Sequence, residues 1–99
     1  MWIGTLEFDF LLGDVHSLKE KRSVVRPIVA EIHRRFTVSV AETGHRELYR
    51  RAGVGLSVVS ADAAHVTELL DAVERHAAAR PEVTLLSARR RLVSSEDLE

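Results

Sequence analysis

Apolar residues alternate with polar or mixed ones over the first twelve positions, which is the period of a strand with one buried face. The even positions are apolar or glycine throughout, whereas the odd ones include Glu7 and Asp9. This pattern predicts a long strand over residues 2–12 with its even side chains inward. A Gly-Asp pair at 13–14 then ends the strand.

A helical period of apolar residues follows and predicts a helix from Leu18 to about Arg35. Ser17 is a suitable N-cap, and Glu20 stands at the third helical position, where a capping box has an acid. Pro27 lies inside this span and should kink the helix, because it removes a backbone donor. The apolar stripe continues across it and consists of Leu18, Val25, Ile28, Val29 and Ile32.

Three more strands and a second helix are predicted in the rest of the chain. The second strand covers residues 36–42, a third is marked by the apolar positions of 54–58, and a fourth covers 83–93. Between the last two, a helix begins after a cap at Ser60 or Asp62 and is stopped by Pro81. Its stripe consists of Val66, Leu69, Leu70, Val73 and Ala77.

The predicted order βαββαβ defines the fold class. With right-handed crossovers it gives a ferredoxin-like two-layer α+β sandwich, whose antiparallel sheet has the order 4-1-3-2 and carries both helices on one face. The chain of 99 residues is long enough for one domain. We assign that domain to residues 1–94 and interpret 95–99 as a frayed acidic tail.

Composition excludes several kinds of chemistry. The absence of cysteine rules out disulfides, thiolate catalysis and cysteine metal sites. The five histidines have no zinc-type i, i+4 pair, so we predict no metal and interpret them as surface side chains. No nucleophile has a base at matching spacing, and we predict neither an enzyme nor a cofactor nor a small-molecule substrate. No apolar run reaches about 20 residues, so we expect a cytoplasmic protein without a membrane span.

The formal charge of −1 hides a segregation of charge along the chain. Residues 16–51 carry nine Lys or Arg against four Asp or Glu, whereas both flanking segments are acidic. Such segregation can create a local anion-binding face on a protein of nearly neutral balance.

Lys21 falls on the apolar side of the first helix, four residues before Val25 and seven before Ile28. An ammonium on the core side must reach solvent or meet a carboxylate. Because strand 2 should end beside the start of helix 1, we expect Glu42 to form a structural ion pair with Lys21.

The topology also predicts where the other cations of the basic segment lie. The end of strand 1, the start of helix 1 and the connection between strands 2 and 3 should meet at one edge of the sheet. Cations remote in sequence would then converge on that edge, where they could bind phosphate. The candidate nucleic-acid-binding residues of this basic edge are Lys19, Arg22, Arg26, Arg46, Arg50 and Arg51.

Two further contacts are expected around the sheet. Arg89 and Arg91 share a parity on strand 4 and should pair across the open face with Glu7 and Asp9. The apolar pair at 48–49 should tuck against the sheet.

Three motifs in this order resemble the YlxP-like family of small uncharacterised bacterial proteins. They are Ser17-Leu18-Lys19-Glu20-Lys21-Arg22, then Val38-Ser39-Val40-Ala41-Glu42, then Leu48-Tyr49 with Arg51-Ala52 and Gly55. The resemblance covers nearly the whole chain and implies a ferredoxin-like fold. The family's genes are often neighbours of those for ribosome-binding factor A and translation initiation factor 2, which implies work on RNA or the ribosome.

Two functions remain open at this point. The first is an RNA- or ribosome-associated accessory protein that contacts phosphate through the basic edge. The second is a homodimeric interaction module without a nucleic-acid role, because strand 2 is an edge strand that lacks protective charges or proline over 36–41.

Overall fold

Four strands form one antiparallel sheet with two helices packed on one of its faces, in a computed structural model that describes residues 1–98. The strands lie in the order β2-β3-β1-β4, so the predicted fold class and sheet order are confirmed. In chain order the elements are β1 (Trp2–Leu12), α1 (Leu18–Arg35), β2 (Ser39–Gly44), β3 (Arg51–Ser60), α2 (Ala63–Ala78), β4 (Val83–Ser94) and a 3-10 turn (Ser95–Leu98).

The core lies between the helices and the inner face of the sheet. As predicted, the even side chains of β1 face inward. They are buried from Leu6 to Leu12, with Phe8 and Phe10 at the centre of the core, whereas Trp2 is half-buried. Gly4 continues this row where α2 comes closest, and a β-carbon there would collide with Val66 and Leu70. The helices add mainly Val25, Ile28 and Ile32 from α1 and Val66, Leu70 and Val73 from α2.

The first helix begins and ends where the sequence predicts. The Ser17 hydroxyl accepts a hydrogen bond from the Glu20 N–H at 3.1 Å, as an N-cap should. The Glu20 carboxylate accepts from the His16 N–H, also at 3.1 Å, so the capping box closes one residue earlier than the standard pattern. The helix is continuous across Pro27.

The second strand begins three residues later than predicted. Phe36 still belongs to the end of α1, because its N–H donates to the Ile32 carbonyl, and the Val38 N–H then donates to Phe36. At the other end β2 continues to Gly44, and β3 already begins at Arg51. The hairpin formed by β2 and β3 is therefore longer, and its connection shorter, than the sequence indicates.

Each edge strand contains a bulge. In β2, Glu42 faces Val54 and Gly44 faces Gly53, which leaves Thr43 as the additional residue. In β4 the bulge lies opposite the step from Asp9 to Phe10 of β1, and Leu86 is the additional residue. The face of the sheet opposite the helices, called here the open face, carries the odd residues of β1.

The C-terminal segment is structured as far as residue 98. The Ser95 N–H donates to the Met1 carbonyl at 2.9 Å, and the Met1 ammonium donates to the Ser95 hydroxyl at 3.1 Å. The prediction of a frayed tail was therefore wrong for residues 95–98, and Glu99 lies outside the described residues. Within residues 1–98, neither helix is long and apolar enough to cross a membrane.

Candidate nucleic-acid interface

Lys21 connects the first helix to the far end of β2, and only 3% of its side chain is exposed. Its ammonium lies 3.0 Å from Glu42 Oε2, so the predicted pair is present. The hydrogen bond of the ammonium goes elsewhere, to the carbonyl oxygen of His45 at 2.6 Å. The contact with Glu42 is thus an ion pair, and that with His45 is a charge-assisted hydrogen bond.

The hydrogen bond from Lys21 stabilises an uncommon backbone conformation. His45 has φ of 54°, in the left-handed region that non-glycine residues seldom adopt. Its carbonyl also accepts from the Leu48 N–H at 3.0 Å, which closes a turn. The sequence predicted the buried lysine but not its hydrogen bond to this turn, since no sequence pattern indicates a histidine with a left-handed backbone conformation.

An open groove of about 400 Å³ lies between α1 and the start of the connection after β2. Arg22 and Arg26 line it from α1, and Arg46 lines it from the connection. All three side chains are exposed, and none forms an ion pair within residues 1–98. We call this groove, with its three arginines, the arginine groove. Its remaining walls are Val25, Val29, Ala30, His33 and Glu42.

The other members of the predicted basic edge do not line this groove. Lys19 is exposed on the first turn of α1. Arg50 stands where the connection reaches β3, and its Nε donates to the Gly13 carbonyl at 2.7 Å. Arg51 forms a forked contact with Asp9 through Nε and Nη2, so its charge is matched on the open face. The structure brings three of the six predicted cations together.

The open face carries a polar cavity of about 550 Å³ that the sequence did not predict. Asp9 lies between Arg51 and His45, whose Nε2 is 3.5 Å from Asp9 Oδ1. The hydrogen bond from Arg51 lowers the pKa of Asp9 and outweighs the opposing effect of burial. Arg89 pairs with Glu7 at 2.8 Å on the same face. These matched charges leave the cavity with little excess of either sign.

The predicted partner of Arg91 was wrong. Arg91 lies opposite Thr5 in the register of β1 and β4, whereas the residue opposite Asp9 is Ser87, four positions before Arg91. The sequence did not predict the partners of Arg90. Arg90 points to the helix side and forms ion pairs with Asp71 at 2.8 Å and Glu74 at 3.1 Å, both on α2.

Leu48 and Tyr49 do not tuck against the sheet as predicted. They remain 48% and 47% exposed in the connection between β2 and β3. Because β3 begins at Arg51 and the turn closes at His45, only a short loop is left, and it runs past the end of the sheet.

The histidines differ in their surroundings. His16 is exposed and lies 2.9 Å from Asp14, which is exposed as well. His76, predicted at the surface, is half-buried, and its ring packs edge-on against Phe36 with centroids 5.7 Å apart. Burial and, next, the charge of Arg35 lower the pKa of His76. Residues 1–98 contain no group of three or more His, Asp or Glu placed to hold a metal ion.

Comparisons with known proteins identify relatives without giving them an activity. A family model with the description "Protein of unknown function (DUF503)" matches residues 3–90. The chain is also similar to the "Uncharacterized protein YlxP" of Bacillus subtilis (strain 168), with 31% identity over 81 residues. That alignment covers 82% of this chain and 88% of the relative.

Proposed function

We propose that this chain, which belongs to the family described as "Protein of unknown function (DUF503)", is a non-enzymatic RNA- or ribosome-associated accessory protein. It contacts the phosphate backbone through the arginine groove of Arg22, Arg26 and Arg46. The observation that carries the proposal is the convergence of these exposed cations, from two segments remote in sequence, on one open groove. The resemblance to the YlxP-like family points to the same class of partner.

The charges around the groove support a binding role. Other arginines of this fold are engaged by acids: Arg51 by Asp9, and Arg90 by two acids of α2. The one acid that lines the groove, Glu42, is neutralised by its ion pair with the buried Lys21. The groove thus keeps a local excess of positive charge on a chain of net charge −1.

Arginine side chains suit phosphate better than they suit a small substrate here. A guanidinium presents several N–H donors in a planar fork that matches phosphate oxygens. Three such groups along an exposed groove, with an aliphatic floor at Val25 and Val29, can follow a backbone, and phosphate contacts of this kind carry no sequence information directly. The groove's other polar side chains within residues 1–98 are His33 and the paired Glu42, which supports a role without catalysis.

A fluorescence titration against structured ribosomal RNA fragments tests the proposal. Affinity should fall steeply between low and physiological salt. The logarithm of the association constant should decrease with the logarithm of the salt concentration, with a slope of roughly −0.7 per neutralised phosphate on a single strand. Combined Arg→Ala changes at positions 22, 26 and 46 should flatten this slope. The control removes the same charge at positions 75, 89 and 91, which do not line the groove. Undetectable binding at low salt, or equal losses in both variants, contradicts the proposal.

A homodimer through β2 is the second candidate, and it is compatible with the first. The observation in its favour is that β2 lies at the edge of the sheet, and its one charged side chain, Glu42, is held by Lys21. Strand edges of this kind pair readily with another copy. Light scattering should then report twice the chain mass of 11.1 kDa.

A charge on that edge tests the dimer directly. Ala41 is an exposed residue of β2, so Ala41→Lys should leave the fold intact and give a monomer. Ala64→Lys adds the same charge at an exposed position of α2 and should keep the mass of the unmodified protein. A monomeric unmodified protein at micromolar concentration rules out this candidate.

A further inference from the structure

Two large apolar side chains stand exposed in the loop that follows the arginine groove. Leu48 and Tyr49 are adjacent in sequence, and each keeps nearly half of its surface in contact with solvent. Neither is part of the core cluster or of the partly buried residues packed against it. The packing of the fold therefore leaves the leucine side chain and the tyrosine ring accessible to a partner.

The backbone on both sides of this pair is fixed. At the start of the loop, the His45 carbonyl accepts from Lys21 Nζ at 2.6 Å and from the Leu48 N–H at 3.0 Å. At its end, Arg50 Nε donates to the Gly13 carbonyl, and the Leu12 N–H donates to the Arg50 carbonyl at 2.9 Å. The loop therefore presents Tyr49 from a tethered backbone, which lowers the entropy that binding would cost.

Cations flank the exposed pair on both sides. Arg46, which lines the arginine groove, precedes Tyr49 by three residues, so their Cα atoms lie within about 11 Å. Arg50 follows it directly. An apolar surface between two cations complements a ligand that offers anionic groups on either side of an aromatic face.

We infer that Tyr49 stacks on an unpaired base of an RNA whose backbone lies in the arginine groove, so that the ligand is single-stranded RNA. The inference rests on the proposed function and specifies its ligand. A base in a duplex is stacked on its neighbours and cannot reach a side chain at the surface, whereas a base in a loop or at an end can stack on tyrosine. Leu48 provides apolar contact beside the ring.

The test compares a single-stranded RNA of about 12 nucleotides with the duplex of the same sequence, each titrated at several salt concentrations. Tyr49→Ala should weaken binding of the single strand roughly 5- to 150-fold, the range that follows from the loss of one base stack. The salt dependence of single-strand binding should be the same for Tyr49→Ala as for the unmodified protein, because the ring neutralises no phosphate. Binding of the duplex should hardly change, and Tyr49→Phe, which keeps the ring, should bind like the unmodified protein.

Leu86→Ala is the matched control, because Leu86 is an equally exposed apolar residue at the bulge of β4. It should leave both affinities unchanged. If Tyr49→Ala binds the single strand normally, or loses single strand and duplex equally, the inference is overturned. Steep salt dependence that is lost in the arginine-groove variant would still support the proposed function. Binding of neither RNA by the unmodified protein at low salt would overturn both.

Discussion

Lys21 and Glu42 form an ion pair that is unequally buried. The ammonium is nearly inaccessible, whereas 25% of the Glu42 side chain is exposed. If the pair is broken, water can reach only the exposed part of the carboxylate, since Glu42 Oε2 is buried, and the lysine is left charged in the core. The two halves of the pair should therefore respond differently to substitution.

Glu42→Gln should lower the free energy of unfolding by about 3 kcal/mol, because it leaves the buried ammonium without its counter-charge. Lys21→Met should cost less, since it removes the buried charge and retains an unbranched side chain of similar length. Urea unfolding at neutral pH measures both. Glu47→Gln, at an exposed position of the loop, is the control and should be neutral. An unchanged midpoint for Glu42→Gln would contradict a structural role for the pair.

The three consecutive arginines of β4 should differ in their effect on stability. Arg90→Ala should lower the urea midpoint most, because Arg90 bridges the sheet to both Asp71 and Glu74 of α2. Arg89→Ala should have a small effect, since the pair with Glu7 is largely exposed. Arg91→Ala should have almost none. A ranking with Arg91 first would contradict the register of β4.

The free energy of unfolding should decline as the pH falls below the pKa of an ordinary histidine. Burial lowers the pKa of His76 from its usual 6.5, so the unfolded chain takes up a proton before the folded protein does. The contribution of His76 is fully present above about pH 6.5 and is lost as the pH falls toward the lowered value.

The substitution His76→Gln should therefore reduce the difference in urea midpoint between about pH 7.5 and about pH 5. His65→Gln, at an exposed position of the same helix, serves as the comparison and should leave that difference unchanged. Equal behaviour of the two variants would show that His76 is not the group responsible.

Gly53 allows β2 to approach β3 at the bulge. A β-carbon at this position would lie 2.8 Å from the Cα and 2.9 Å from the nitrogen of Gly44, and backbone cannot move aside as a flexible side chain can. Gly53→Ala should therefore lower the melting temperature and increase amide exchange in β2. Gly13→Ala is the control, since a β-carbon at that position would have no other atom within 4 Å, and this variant should melt like the unmodified protein.

The sequence predicted the parts of the fold that depend on repeating patterns. Two-residue alternation located β1, and the helical period with the Ser17 cap located α1. The phase of the same helix placed Lys21 in the core, and the topology then supplied Glu42 as its partner. These predictions succeeded because each rests on the burial of one face of a regular element.

The errors arose where local geometry interrupts a regular pattern. The second strand was placed too early because Phe36 and Val38 suit a strand, although the Phe36 N–H completes the end of α1 and the Val38 N–H closes a tight turn onto the Phe36 carbonyl. The partner of Arg51 was missed since Arg51 was placed among the free cations of the basic edge and not in β3, where it lies opposite Leu11 and its side chain reaches Asp9. Neither the end of a helix nor the length of a hairpin loop has a period that sequence alone displays.

The bulge at Leu86 decides which face each arginine of β4 occupies. Before it the odd residues of the strand turn toward the helices, and after it the even residues do. If Leu86 were paired in the ladder instead of bulging, every later residue of β4 would shift by one position and the two faces would be exchanged. Arg90 would leave the acids of α2, while Arg89 and Arg91 would point into the apolar layer. Loss of the codon for Leu86, in contrast, would restore a regular ladder with each arginine on its present face. We therefore expect β4 to tolerate a change in length by one residue at this position better than at any other.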